Sequence, residues 1–376
     1  MATRATRAAL FKLRARWALF LLFGLLVILA SISLISAAWP TTAAQTWALL
    51  AAAVFFVQLF LLWFDLPKNV SIANGKLQSR FGPGTWLSVV RVLALSMLAG
   101  FLCPPRPAGW LAWLPFAIYM FFNLADLADG YAARMAGIVT ALGEKLDLDL
   151  DGRGLLVASL LAYHYGVVGW WFILVGLARY IFVFAAWLRK RLGGTFNLQS
   201  NSLRRPLAGA QMGIGVALLA PQLPTGVTSF VSAISMFPFV GNFLFDWLKA
   251  AGWLRLKKSS RRRKTWLGLS GWGMLFTRVA LASILILRAS GEHANLYFAL
   301  DVILGLILLF GLAGRAAAFA LLVETGFRLQ GQAVQNVDFA ILFLGMILLY
   351  LGIGEFAWRF MKEGWIFRRW GAARRA

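Results

Sequence analysis

Between Asp126 and Asp151 the chain reads Asp126-x2-Asp129-Gly130-x2-Ala133-Arg134-x8-Gly143-x3-Asp147-x3-Asp151, inside an otherwise strongly apolar sequence. Six of the fourteen acidic residues fall in these 26 positions: Asp126, Asp129, Glu144, Asp147, Asp149 and Asp151. A carboxylate at the centre of a membrane helix costs about 2.5–3.5 kcal/mol on insertion scales, so such a cluster needs an offsetting charge. Divalent cations held by several oxygens would supply it. On a helix, Asp126 and Asp129 (i, i+3) share a face, as do Asp147 and Asp151 (i, i+4). Two helix ends meeting at those faces would form a four-carboxylate box for one or two Mg²⁺ or Mn²⁺ ions. Gly130 and Ala133 keep the first helix thin enough for a backbone or ligand to approach, and Gly143 does the same near the start of the second. Arg134 offers a planar fork suited to phosphate. Asp149 lies about 200° around the helix from Asp147 and reads as solvated or supporting.

These eight fixed positions resemble the complete signature of the CDP-alcohol phosphatidyltransferases, integral membrane enzymes of phospholipid synthesis. Upstream, Leu87-Ser88-Val89-Val90-Arg91 resembles the Leu-Thr-x-x-Arg stretch that opens the family's first core helix, with Ser88 in place of Thr and Thr85 in place of the usual Asn. Arg91 lies about two turns into its helix, where it either points at the active site or snorkels to the headgroups. The resemblance implies transfer of a phosphatidyl or related group from a CDP-linked lipid donor to an acceptor hydroxyl, with release of CMP. It implies metal held by Asp126, Asp129, Asp147 and Asp151, with Asp151 also the general base. It implies contact of Gly130, Ala133, Arg134 and Gly143 with the cytidine diphosphate or the packing around it, and a homodimer. The acceptor is not legible. Arg179, Arg204 and Arg205 are the candidates for binding a phosphorylated acceptor, although basic residues in a cytoplasmic loop need no such role.

The elements that must carry these residues follow from composition. The chain of 376 residues is 61% hydrophobic with a mean hydropathy of +0.75, which fits an all-α polytopic membrane protein and not a soluble globule. Seventeen Trp suit the interfacial belts. The single Cys103 excludes an intrachain disulfide, and two histidines, His164 and His293, leave little for histidine-based metal chemistry. The net charge of +23 is distributed over alternate loops, so anionic lipid headgroups, not nucleic acid, are the expected partner. Hydropathy places twelve spans at about 17–35, 47–64, 84–102, 109–128, 145–163, 167–187, 206–222, 226–248, 267–288, 296–313, 315–330 and 338–357. The first follows five basic residues and ends near Ser36-Ala37-Ala38; its length favours a retained anchor over a cleaved signal. With both termini inside, the basic clusters face the cytoplasm, and the expected location is a bacterial cytoplasmic membrane with the acidic motif at its inner face. The alternation Leu146-Asp147-Leu148-Asp149-Leu150-Asp151 looks locally like a strand, but an isolated strand at membrane depth cannot satisfy its backbone.

The expected organisation is a two-helix extension (1–66), a six-helix transferase core (67–250), a basic cytoplasmic linker (251–266) and a C-terminal four-helix domain with a basic tail (267–376). The last four helices resemble DoxX-like membrane proteins through Asp301–Arg315 and the small apolar helix that follows. Arg278 and Glu324 lie at similar depth and are expected to face each other as an ion pair. Two other classes compete. A secondary transporter would show paired repeats and midplane acids, both missing here. A non-catalytic scaffold is opposed by the intact set of four aspartates.

Overall fold

A computed structural model describes residues 4–197, 204–254, 260–290, 296–312, 314–330 and 334–352. The described residues form twelve α-helices: α1 (Arg4–Ser36), α2 (Thr41–Asp65), α3 (Pro83–Ala99), α4 (Leu114–Met135), α5 (Ala141–His164), α6 (Ile173–Arg191), α7 (Arg204–Leu218), α8 (Thr225–Ala250), α9 (Ser260–Ser290), α10 (Leu296–Phe310), α11 (Gly314–Arg328) and α12 (Asn336–Leu351). Each falls where hydropathy placed a span, and among the described residues no strand forms beyond two isolated bridges. Seven helices (α1–α4, α6, α8 and α9) are long and apolar enough to cross a bilayer. The charges of α5, from Glu144 to Arg153, exclude it from that set. Helices α7, α10, α11 and α12 have only 15 or 16 residues, short of the roughly 20 needed for the hydrocarbon core. Residues 255–259 of the basic linker and the C-terminal tail lie outside the described residues.

The chain divides into two compact units. The first comprises residues 1–166 and 219–221. Its α1 and α2 form a hairpin in which Phe20 packs edge-on against Phe55, and Gly24 leaves room for the Phe55 ring. Helix α2 then seats the buried Trp47 on α3, the indole donating to the Met97 carbonyl at 3.0 Å. Helix α3 is the hub of this unit, packed against α2, α4 and α5.

The second unit comprises residues 167–218 and 222–376. Here α6 packs on α8, α7 on α8 and α12, and α9–α12 on one another. Tyr350 on α12 donates to Gln211 on α7 (3.2 Å). The α9–α12 bundle corrects the expected Arg278–Glu324 pair. Arg278 instead donates to the carbonyls of Leu308 (2.9 Å) and Leu309, in the last turn of α10, where free carbonyls and the helix dipole attract a cation. Glu324 meets Arg288 at 3.0 Å and Arg328 at 3.6 Å, while Asp301 accepts from both arginines. The two side chains face different partners. Removing Arg288 would leave Asp301 and Glu324 buried with Arg328 as the one cation recorded between them among the described residues. Arg288→Ala should therefore destabilise the protein by about 3–5 kcal/mol, measured by thermal unfolding in detergent. Arg278→Ala breaks the bonds to the Leu308 and Leu309 carbonyls and leaves neither of these two acidic groups without its cation, so it should cost markedly less.

Candidate active site

The acidic hairpin is built by local sequence signals. Helix α4 ends at Met135, and Gly137 takes the left-handed conformation (φ +66°) that lets Ile138 N–H reach back to the Ala133 carbonyl at 3.1 Å. Helix α5 begins at the N-cap Thr140, whose hydroxyl accepts from Gly143 N–H at 3.1 Å. Between them, Val139 and Ala141 pair with Ile72 and Val70 of the α2–α3 connection (Ile72 N to Val139 O and Ala141 N to Val70 O, both 3.0 Å). The alternating Leu–Asp stretch is helical, as expected. Leu146 and Leu150 point into the core, Leu148 is exposed on the opposite side, and Asp147 and Asp151 share a face.

That face meets Arg91. Its guanidinium is fully buried and gathers all four motif carboxylates: Nη1 lies 2.6 Å from Asp126, 3.2 Å from Asp129 and 3.0 Å from Asp147, and Nη2 lies 2.7 Å from Asp151. The flat face of the guanidinium rests on the Phe122 ring, 4.5 Å from its centroid. Of the two alternatives open from sequence, the structure selects the inward one. Ser88, one turn earlier on α3, donates to Asp129 Oδ2 at 3.0 Å.

The same face of α3 sets the spacing between the helices. A Cβ on Gly84 would lie 2.6 Å from the Asp129 carbonyl and 2.7 Å from the Ala133 methyl. A Cβ on Gly143 would lie 3.2 Å from the Thr85 hydroxyl. The small size of Ala133 thus admits Gly84 of α3, and that of Gly143 admits Thr85. Gly84→Ala should push α4 off α3, destabilising the protein by about 1–3 kcal/mol and weakening divalent-metal affinity in a Mn²⁺ titration, because Asp129 sits at the contact. Gly130 is half-buried, and a Cβ there would lie 3.1 Å from the guanidinium of Arg134, which is exposed at the end of α4.

Electrostatically the cluster is unbalanced. Were all four carboxylates ionised, the one guanidinium would leave three negative charges without a counter-charge inside the cluster. Ligand oxygens of Asp126, Asp129 and Asp147 lie within 4.8 Å of one another. An all-oxygen, anionic donor set of this size suits Mg²⁺ or Mn²⁺, and a cationic group already sits at its centre. These residues fit a divalent metal.

The candidate acceptor residues belong to the other unit. Arg179 is half-buried on α6. Arg204 opens α7 with its Nε 2.6 Å from the buried carboxylate of Asp246. The side chain of Arg205 lies outside the described residues. Asp149 faces Arg153 at 3.8 Å, off the Asp147/Asp151 face. Sequence reasoning missed Ser88 and Gly84 as parts of the site. Their signal was positional: Gly84, Ser88 and Arg91 recur at i, i+4 and i+7 on one face of α3.

Part of the chain is similar to known proteins. Residues 84–247, from α3 through most of α8, match the family model of the CDP-alcohol phosphatidyltransferases. Relatives named as candidate cardiolipin synthases, from Mycobacterium tuberculosis and Mycobacterium bovis, are 30% identical over 93 residues. That stretch is 25% of this chain and 43% of each relative, so the chain spans less than half the length of the curated relatives it matches. No solved structure matches this chain.

Proposed function

With residues 84–247 a CDP-alcohol phosphatidyltransferase domain, we propose that this protein is a membrane enzyme of phospholipid synthesis. It transfers a phosphatidyl or related phosphoalcohol group from a CDP-linked donor, such as CDP-diacylglycerol, to an acceptor hydroxyl and releases CMP. The observation that carries this reading is the convergence of all four motif carboxylates on one buried point.

Asp126, Asp129 and Asp147, with Asp151 beside them, would hold one or two Mg²⁺ or Mn²⁺ ions, which neutralise the donor diphosphate and stabilise the departing phosphate oxygen. The chain's own groups do the rest. Asp151, one turn beyond Asp147 and half-buried, accepts the proton of the acceptor hydroxyl as its oxygen attacks the β-phosphorus. The new oxygen–phosphorus bond forms as the bond to CMP breaks, and the proton stays on the Asp151 carboxyl until it exchanges with solvent. Arg134, exposed beside Gly130, reaches the cytidine diphosphate as a planar donor. Arg91 stays as a fixed cation beside the carboxylates, and Ser88 holds Asp129 in orientation. Lys68, Lys76, Arg80, Arg134 and Lys145 flank the site, and this basic setting supports a cytoplasmic active face on a bacterial inner membrane. Arg179, Arg204 and Arg205 are kept as the acceptor-binding candidates.

The test is CMP release by purified protein in liposomes with CDP-diacylglycerol and Mg²⁺ or Mn²⁺. The acceptor panel contains glycerol 3-phosphate, serine, inositol, inositol phosphate, choline and, because of the relatives' name, phosphatidylglycerol. Release that depends on one acceptor and on metal supports the transferase and identifies the product. A well-folded protein that releases no CMP with any of them overturns this donor–acceptor reading.

A further inference from the structure

Helix α5 carries a second polar stripe. Lys145, Asp149 and Arg153 recur at i, i+4 and i+8, about 200° from the Asp147/Asp151 face. This stripe meets α2, which lies outside the segment that matches the family. Asp65, at the last turn of α2 and only 8% exposed, takes Lys145 on one carboxylate oxygen at 2.5 Å and Lys68 on the other at 2.7 Å. Gln58, two turns earlier and 5% exposed, accepts from Arg153 at 2.9 Å. Gln58 is the one side-chain amide within the apolar run 47–64 of this span, and a buried amide in such a helix is costly without a partner.

The geometry forms a two-point lock. One contact lies two residues before Asp147 and the other two residues after Asp151. The rise from Gln58 to Asp65 is about 10.5 Å and that from Lys145 to Arg153 about 12 Å, so both contacts close in a single axial register of the two helices. A slip of one turn, about 5.4 Å, would break both. Below the lock, the α2–α3 connection holds the α4–α5 turn through residues 70–72.

We propose that Asp65 and Gln58 are positioning residues: through Lys145 and Arg153 they set the register and tilt of α5, and so the placement of Asp147 and Asp151 against Asp126 and Asp129. The catalytic consequence rests on the transferase reading above; the consequence for the helix does not. The N-terminal hairpin is then a brace of the catalytic helix and more than an anchor.

The experiment uses the full-length protein in liposomes, with Gln58→Leu, Asp65→Asn, the double variant and the conservative Asp65→Glu. Three quantities are read for each: hydrogen exchange across 141–153, Mn²⁺ affinity by EPR titration, and kcat separately from the KM of the CDP-linked donor. For the double variant, exchange should rise within 141–153 but not in α9, and Mn²⁺ should bind about tenfold to a hundredfold more weakly, as when groups orienting metal ligands are lost. The kcat should fall by a similar factor with donor KM within about twofold, and Asp65→Glu should restore most of it. Unchanged exchange and Mn²⁺ affinity in the double variant would overturn the proposal. So would a loss of activity that only tracks the fraction of folded protein and is not restored by Asp65→Glu. If the wild type neither binds Mn²⁺ nor releases CMP, the transferase reading fails, and the exchange measurement alone decides whether α2 sets α5.

Discussion

Replacing Asp151 by Asn is expected to lower kcat for CMP release by about 10²–10⁴-fold, the range that a positioned general base contributes. The substitution is nearly isosteric, and the Asn oxygen can still accept from Arg91 Nη2, which lies 2.7 Å from the native carboxylate. Packing around α5 therefore survives, while the group that takes the acceptor's proton is gone. It also lowers the negative charge that the cluster can carry, so unfolding in EDTA should occur at the same temperature as in the wild type or higher. A large kcat loss with undiminished stability is the signature of a chemical role, read from initial rates of CMP release beside a thermal unfolding curve. A variant that keeps wild-type kcat would remove Asp151 from the mechanism and leave it as one more carboxylate in the box.

Arg91→Met is expected to be strongly destabilising, and to be so in a metal-dependent way. Its guanidinium is fully buried and is the one cation within hydrogen-bond distance of Asp126, Asp129, Asp147 and Asp151 among the described residues. Taking one partner out of a buried ionic cluster costs about 3–5 kcal/mol, because the charges left behind repel each other away from water. A divalent ion binding the folded state alone offsets this by about 2.7 kcal/mol at a hundred times its dissociation constant. The variant should thus unfold far below the wild type in EDTA and regain much of the difference in millimolar Mg²⁺, whereas the wild type should shift less. Equal unfolding temperatures in EDTA would mean that the carboxylates do not depend on Arg91 for their counter-charge.

Much of the site was legible along the chain because its spacings are local. Asp126 and Asp129 face one way on any helix that contains them, and so do Asp147 and Asp151. The Leu–Asp alternation was resolvable because a helix at membrane depth satisfies its own backbone and a lone strand does not. What the chain did not disclose were choices between faces. Arg278 and Glu324 each lie some ten residues into a span read from hydropathy, but a helix offers a full circle of directions. Their partners are the Leu308 and Leu309 carbonyls for one, and Arg288 and Arg328 for the other. Asp149 read only as solvated or supporting and Lys145 only as part of a basic cluster, and nothing along the chain showed that Lys145 and Arg153 reach Asp65 and Gln58 of α2.

The amino-acid sequence by itself determined an all-helical membrane chain, an acidic hairpin with two carboxylate-bearing faces, and the class of cation those faces would hold. Periodicity, caps and the cost of charge in an apolar medium act within a few residues of each other. Only the tertiary structure decided that Arg91, 35 to 60 positions earlier in the chain, sits at the centre of the four carboxylates. It also decided that Asp65 and Gln58 hold Lys145 and Arg153 on the far side of α5 from Asp147 and Asp151. An arginine near an interface, or a glutamine in a span, reads the same from sequence whether it faces lipid, water or another helix, and only the packing of distant segments selects among these.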